Sequence, residues 1–269
     1  MNKFYKAIVL LLIVIITISS IYIFKEILKQ NTENNVYKNF QDDITENIIE
    51  DLKDNTEENN LSNFVEKENK KEINQMVSLE NLHKKNSDLV GWIKIDGTNI
   101  NYPVMQSNLE NGNYYLHRNF YKKYSTLGTP FIQSNCDINN SSNLIIYGHH
   151  IKSGLVFADL VKYKNYNFYK NHRYIKFYTL SEDKKETIEK TYEVAIAFKT
   201  VVYSDKGFKY YNYTNFSDVR ELNDFIGNCR KLEFYNTGID INYGDKLITL
   251  STCEYSQKNG RIVVVSKKI

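Results

Sequence analysis

The chain opens with a long apolar run and then becomes strongly polar. Ala7 to Phe24 (AIVLLLIVIITISSIYIF) carries no charge, with Lys3 and Lys6 before it and Lys25 after it. About 20 residues typically cross a bilayer, so this run is near the lower limit. It is longer than the roughly 7–15-residue core of a cleavable signal, and no clear small-x-small cleavage site follows. The pattern predicts an uncleaved signal-anchor over residues 7–24, with residues 1–6 in the cytoplasm and the rest outside, although Lys25 and Lys29 reduce the charge asymmetry that sets orientation. Residues 25–71 are rich in Asn, Glu, Asp and Lys, with a thin apolar stripe at Ile44, Ile48, Ile49 and Leu52. They predict a solvated, partly helical or disordered stalk.

From residue 72 the patterning becomes that of a folded domain. Ile73, Met76, Val77 and Leu79 to Leu82 have helical spacing. Strands are expected at Gly91–Gly97, Asn99–Val104, Thr129–Gln133 and Asn143–Tyr147. Further strands are expected at Tyr174–Leu180, Lys190–Thr200, Lys246–Cys253 and Arg261–Ser266. Pro103 implies an edge position or a bulge. Short helices are expected at Asn111–Arg118 and Val156–Tyr163. Ser217 is placed to cap a longer helix over 218–230, with Val219, Leu222, Phe225 and Ile226 on one face. Many strands and few helices, without regular alternation, indicate a closed or nearly closed β-structure.

Composition changes this picture little. Twenty-two tyrosines against 2 prolines and 11 glycines suit a β-rich core. A net charge of +3 gives no argument for a nucleic-acid partner. The three cysteines, Cys136, Cys229 and Cys253, form neither a disulfide framework nor a metal-binding cluster, and a Cys136–Cys229 bridge is not expected. No compact acidic loop points to a cation, and no cofactor is expected.

The candidate chemistry lies at strand ends. In Asp245–Cys253, alternation puts Leu247, Thr249, Ser251 and Cys253 on one face. Arg261 opens the next strand, after a loop ending in the turn pair Asn259-Gly260. The buried run Asn143-Leu-Ile-Ile-Tyr ends in Gly148-His149-His150. A thiolate is a strong nucleophile, an imidazole can exchange protons with it, and a guanidinium can stabilise an oxyanion. If the strand ends converge, the three groups fit acyl transfer through a thioester. Taken singly, each has a plainer reading: a buried small hydrophobe, a turn residue and a surface charge.

Thr249-Leu250-Ser251-Thr252-Cys253 resembles the T-L-x-T-C signature of sortases, the membrane-anchored cysteine transpeptidases of Gram-positive bacteria. Arg261 falls where that family carries its arginine, and Tyr147-Gly148-His149 resembles its histidine segment. The helical lead-in, the Gly-His-His-x-x-x-Gly-x-x-Phe run ending at Phe157 and the helix before the nucleophile strand resemble class B members. The resemblance implies an eight-stranded barrel with peripheral helices over residues 72–269. It implies Cys253 as nucleophile, His149 as general acid/base, Arg261 as substrate and oxyanion stabiliser, and His150 as a bystander. Leu116, Tyr213, Ser251 and Glu254 would line the substrate groove. The implied reaction cleaves a C-terminal sorting signal of secreted surface proteins after Thr and transfers the acyl group to a cell-wall amine. The implied partners are those surface proteins and a peptidoglycan precursor or cross-bridge, met at the outer face of the membrane.

Two other readings stand beside this one. Another extracytoplasmic cysteine hydrolase or transpeptidase would use the same thiol. However, papain-like enzymes place Cys before His, and the Ser/Thr-His-Gly-Cys run of L,D-transpeptidases is absent. A non-catalytic, membrane-tethered binding module would leave Cys253 buried and inert.

Overall fold

The structure, a computed structural model, describes residues 3–53, 79–107, 110, 112–184, 186–203 and 205–269. The chain divides into two compact units, Met1–Asn59 and Asn60–Ile269.

The first unit is built on α1 (Lys3–Lys53). Within it, Phe4–Lys25 is long and apolar enough to cross a membrane, and its mean hydropathy is 2.9. Its large apolar side chains, Leu10, Ile16 and Phe24 among them, are exposed all round the helix, as an all-apolar surface suited to lipid would be. The helix continues into the polar sequence as far as Lys53, so the first half of the expected stalk is helical throughout. The expectations for Ile73, Met76 and Val77 fall outside the described residues.

The second unit begins with α2 (79–85), whose Leu79 and Leu82 are buried. Eight strands follow: β1 (Leu89–Lys94), β2 (Asn101–Met105), β3 (Phe131–Ile132), β4 (Asn143–Tyr147), β5 (Tyr174–Leu180), β6 (Thr187–Val201), β7 (Leu247–Glu254) and β8 (Gly260–Lys268). They close into a barrel in the order β1-β2-β3-β4-β7-β8-β6-β5. Closure leaves no free sheet edge. The core comes from the alternating apolar positions the pattern singled out, including Ile93, Val104, Ile145, Phe177, Ile196, Phe198, Ile248, Leu250 and Val264, none of them exposed. Pro103 lies in β2, which pairs along its length with β1 but meets β3 only at Met105. A residue without an N–H is tolerated in a strand with a full ladder on one side only.

Differences from the expected elements are local. β6 runs for 15 residues, longer than its apolar stretch, because its polar start at Thr187–Lys190 pairs with β5. The helix expected over Val156–Tyr163 is a 3-10 turn, Ala158–Lys164, followed by a short α3 (Tyr166–Asn171) capped by Asn165. The helix before β7, α4 (Val219–Leu232), is capped by Asp218 rather than Ser217. The Asp218 carboxylate accepts from the Arg220 and Glu221 N–H groups at 2.8 and 2.9 Å. Ser217 instead donates its own N–H to Glu221, at 2.7 Å. A carboxylate one residue closer reaches the unpaired first-turn donors better, and its charge suits the helix N-terminus.

One consequence of the topology positions the site. β4 and β7 are parallel neighbours, with Tyr147 opposite Ser251, so their C-terminal ends emerge side by side. β7 and β8 are antiparallel, with Cys253 opposite Arg261. The end of β4, the end of β7 and the start of β8 therefore meet at one rim of the barrel.

Candidate active site

Cys253 is the last residue but one of β7 and, unlike the rest of that strand, is only half-buried. Directly opposed residues of an antiparallel pair project from the same face, about 5 Å apart at Cβ. The Cys253–Arg261 pairing therefore sets a guanidinium-bearing side chain beside the thiol. Arg261 is also half-buried, and its Nη1 donates to the Gly260 carbonyl at 2.9 Å. The other two thiols are buried in the fold and free. Burial pushes the Cys136 thiol up to about 11 and Cys229 well above the ordinary thiol range, so both are protonated and inert at neutral pH.

His149 follows β4 through Gly148. A Cβ on Gly148 would lie 2.6 Å from ring atoms of the fully buried Phe157, so only glycine lets the chain pass there. His149 is then held from two sides. Its carbonyl accepts the Phe157 N–H at 2.9 Å, and its Nε2 donates to the Leu116 carbonyl at 2.8 Å. A carbonyl can only accept, so Nε2 carries the proton and neutral His149 presents Nδ1 as its basic atom. Burial lowers the His149 pKa below its ordinary 6.5; the Leu116 carbonyl opposes this, and the charges of His117 and Arg261 lower it further. His117 was not anticipated as part of the site. Its ring is 5.6 Å from that of His149 and stacks on Tyr124 at 6.4 Å. Its position directly after Leu116 was the available clue, but only the fold shows that this segment lies against β4.

Cys253, His149 and Arg261 open onto one groove of about 800 Å³. Its walls include Tyr114, Leu116, Tyr147, Tyr203, Tyr210 and Ser251. Ser251 Oγ and the buried Tyr210 hydroxyl are 2.6 Å apart, and burial pushes that phenol up to about 12. Of the four expected groove residues, Leu116 and Ser251 line it.

Tyr213 and Glu254 are placed elsewhere. Tyr213 packs on Phe208 and Phe225 and donates to Asp224 at 2.8 Å, tying its loop to α4. Glu254 is one residue past Cys253, so strand alternation turns it to the opposite face. There it is buried, accepting from Lys164 at 2.8 Å and from the Ser256 hydroxyl at 2.6 Å, with Lys199 3.8 Å away. Burial alone would raise its carboxyl pKa, but Lys164 and Ser256 outweigh that and hold it down at about 2.

The arrangement combines a thiol, an imidazole and a guanidinium at the rim of a half-open groove, in a setting suited to acyl transfer. The model of the Sortase domain family matches residues 93–269, which is most of the barrel. Sortase B of Staphylococcus aureus is 33% identical over 193 residues, covering 71% of this chain and 74% of that protein. Sortase B of Listeria monocytogenes is 34% identical over 194 residues, again covering 71% and 74%. Among solved structures, sortase B of Clostridium perfringens superposes with a TM-score of 0.62 at 32% identity, covering 71% of this chain and 98% of that one. A structure described as a Staphylococcus aureus sortase B–substrate complex matches with a TM-score of 0.61 at 32% identity, covering 71% and 84%. Sequence, fold and rim geometry agree: the chain belongs to the sortase family of cysteine transpeptidases.

Proposed function

We propose that this transpeptidase cleaves a C-terminal sorting signal of secreted surface proteins after a Thr and transfers the new acyl end to a cell-wall amine. Cys253 is the nucleophile. Its sulfur adds to the Thr carbonyl carbon, and the Arg261 guanidinium donates to the oxygen that gains negative charge. His149, protonated, gives its proton to the departing amine as the C–N bond breaks, leaving a thioester on Cys253. An incoming amine attacks the thioester carbonyl and loses a proton to His149. The C–S bond breaks, and Cys253 is restored.

The observation that supports this reading most is the meeting of three strand ends, which brings Cys253, Arg261 and His149 to one groove. The relatives point the same way. One matched Staphylococcus aureus structure is described as a substrate complex, and another matched structure as sortase B complexed with triglycine, an amine-bearing peptide. The helix Phe4–Lys25 is read as an uncleaved anchor, with residues 1–6 cytoplasmic and the catalytic unit outside, where an emerging substrate and a wall precursor are both within reach. Residues 72–269 are read as the catalytic domain.

The test is ligation. The full-length protein in detergent micelles is mixed with a library of sorting-signal peptides and a panel of amine acceptors, and products are read by mass. A subset of peptides cleaved after Thr and joined to amine is expected, with no product from Cys253→Ala. Ligation by Cys253→Ala at the parent rate would refute the reading.

A further inference from the structure

The main-chain ladder between β4 and β7 stops at Tyr147 and Ser251, with the Gly148 N–H still reaching the Ser251 carbonyl at 3.1 Å. Both His149 and Cys253 lie beyond that point. Once a ladder stops, two strand ends are free to diverge. Here side chains continue the pairing. Thr252 Oγ1 donates to the Gly148 carbonyl at 2.7 Å. One residue further, His150 Nδ1 donates to the Cys253 carbonyl at 3.0 Å. The Tyr255 hydroxyl returns a bond to the His150 carbonyl at 2.7 Å. The two rings stack with centroids 4.9 Å apart and planes 28° apart. The pair is reciprocal: each ring donates to backbone on the other segment, His150 directly to that of Cys253. On its other side His150 bridges to Val156, which anchors it to the loop that holds His149.

We propose that His150 is a positioning residue, clamped to Tyr255 and to the Cys253 carbonyl so that it fixes the spacing between the thiol and the imidazole of His149. This rests on the reading of Cys253 and His149 as nucleophile and acid/base. His150 does not touch the reacting atoms. It sets the distance across which they exchange a proton, and a misplacement of about 1 Å in such a constellation costs up to about a hundredfold in rate.

Three variants of the full-length protein test this, with ligation measured as kcat and KM separately. His150→Phe keeps a ring to stack on Tyr255 and deletes the donor. His150→Asn puts an amide N–H close to where Nδ1 donates. Tyr255→Phe deletes the return bond from a side chain that is 60% exposed, so the fold is spared. The expectation is that His150→Phe lowers kcat about tenfold with KM within about twofold, Tyr255→Phe does the same more weakly, and His150→Asn recovers most of the loss. A kcat for His150→Phe within about twofold of the parent, or no recovery in His150→Asn, overturns the proposal. If His150→Phe does not fold, Tyr255→Phe decides by whether its kcat falls. Cys253→Ala is run alongside. If it turns over, the reading of the site itself has failed. If it is dead while His150→Phe is unimpaired, that reading stands and only the clamp falls.

Discussion

Cys253 and Glu254 are adjacent in the chain and face opposite ways. One opens onto the groove beside Arg261; the other is buried in an ion pair with Lys164. Strand alternation, written in Leu247 to Cys253, already separated them, and following it one residue further would have removed Glu254 from the expected groove wall. Lys164 as partner was not legible, because it comes from a 3-10 turn 90 positions away. His149 is the other informative residue. Because burial depresses its folded-state pKa below 6.5, the unfolded chain takes up this proton first as pH falls. Its effect on stability is therefore absent above about pH 6.5 and becomes an increasing loss below it, levelling out beneath the folded-state pKa. His149→Gln should shrink the drop in urea midpoint between pH 7.5 and acid. An unchanged drop would mean that His149 is not held neutral by its surroundings.

At the scale of elements, the strands were the most readable part. Their apolar positions alternate and are bounded by turn residues, and every expected strand overlaps an observed one. The helices were harder. The 3-10 turn Ala158–Lys164 and α3 have too few residues for a period to show, and Asn165, which caps α3, is one Asn in an Asn-rich chain. In α4 the apolar stripe was clear, but two adjacent candidates, Ser217 and Asp218, competed to cap it, and backbone geometry chose the second. Asp218→Ala should therefore lower stability by about 1 kcal/mol, seen as a shifted urea midpoint at constant slope, while Ser217→Ala costs less. Equal effects would mean that the two share the capping.

For the molecule as a whole, alternation and strand count gave a closed β-structure, but the strand order could not be read from them. The parallel β4–β7 contact joins segments about 100 residues apart, and nothing local in either strand specifies the other. The motif resemblance supplied the convergence of His149, Cys253 and Arg261, and the barrel order gives its physical cause. The N-terminal unit adds the question of location. With the Phe4–Lys25 helix intact, the expressed protein should sediment with membranes and keep its full N-terminal mass, while removal of that segment should move it to the soluble fraction. A mature protein shortened beyond Phe24 would instead identify the segment as a cleaved signal.

The central claim is that Cys253 carries the acyl group, and intact-mass measurement of the stalled enzyme tests it most directly. The full-length protein is given a cleavable sorting peptide without any amine acceptor. The account predicts a mass increase equal to the acyl part of the peptide, mapped to Cys253, removed by hydroxylamine and absent from Cys253→Ala. Turnover of the peptide with Cys253 never modified, or the same adduct on Cys253→Ala, would contradict it.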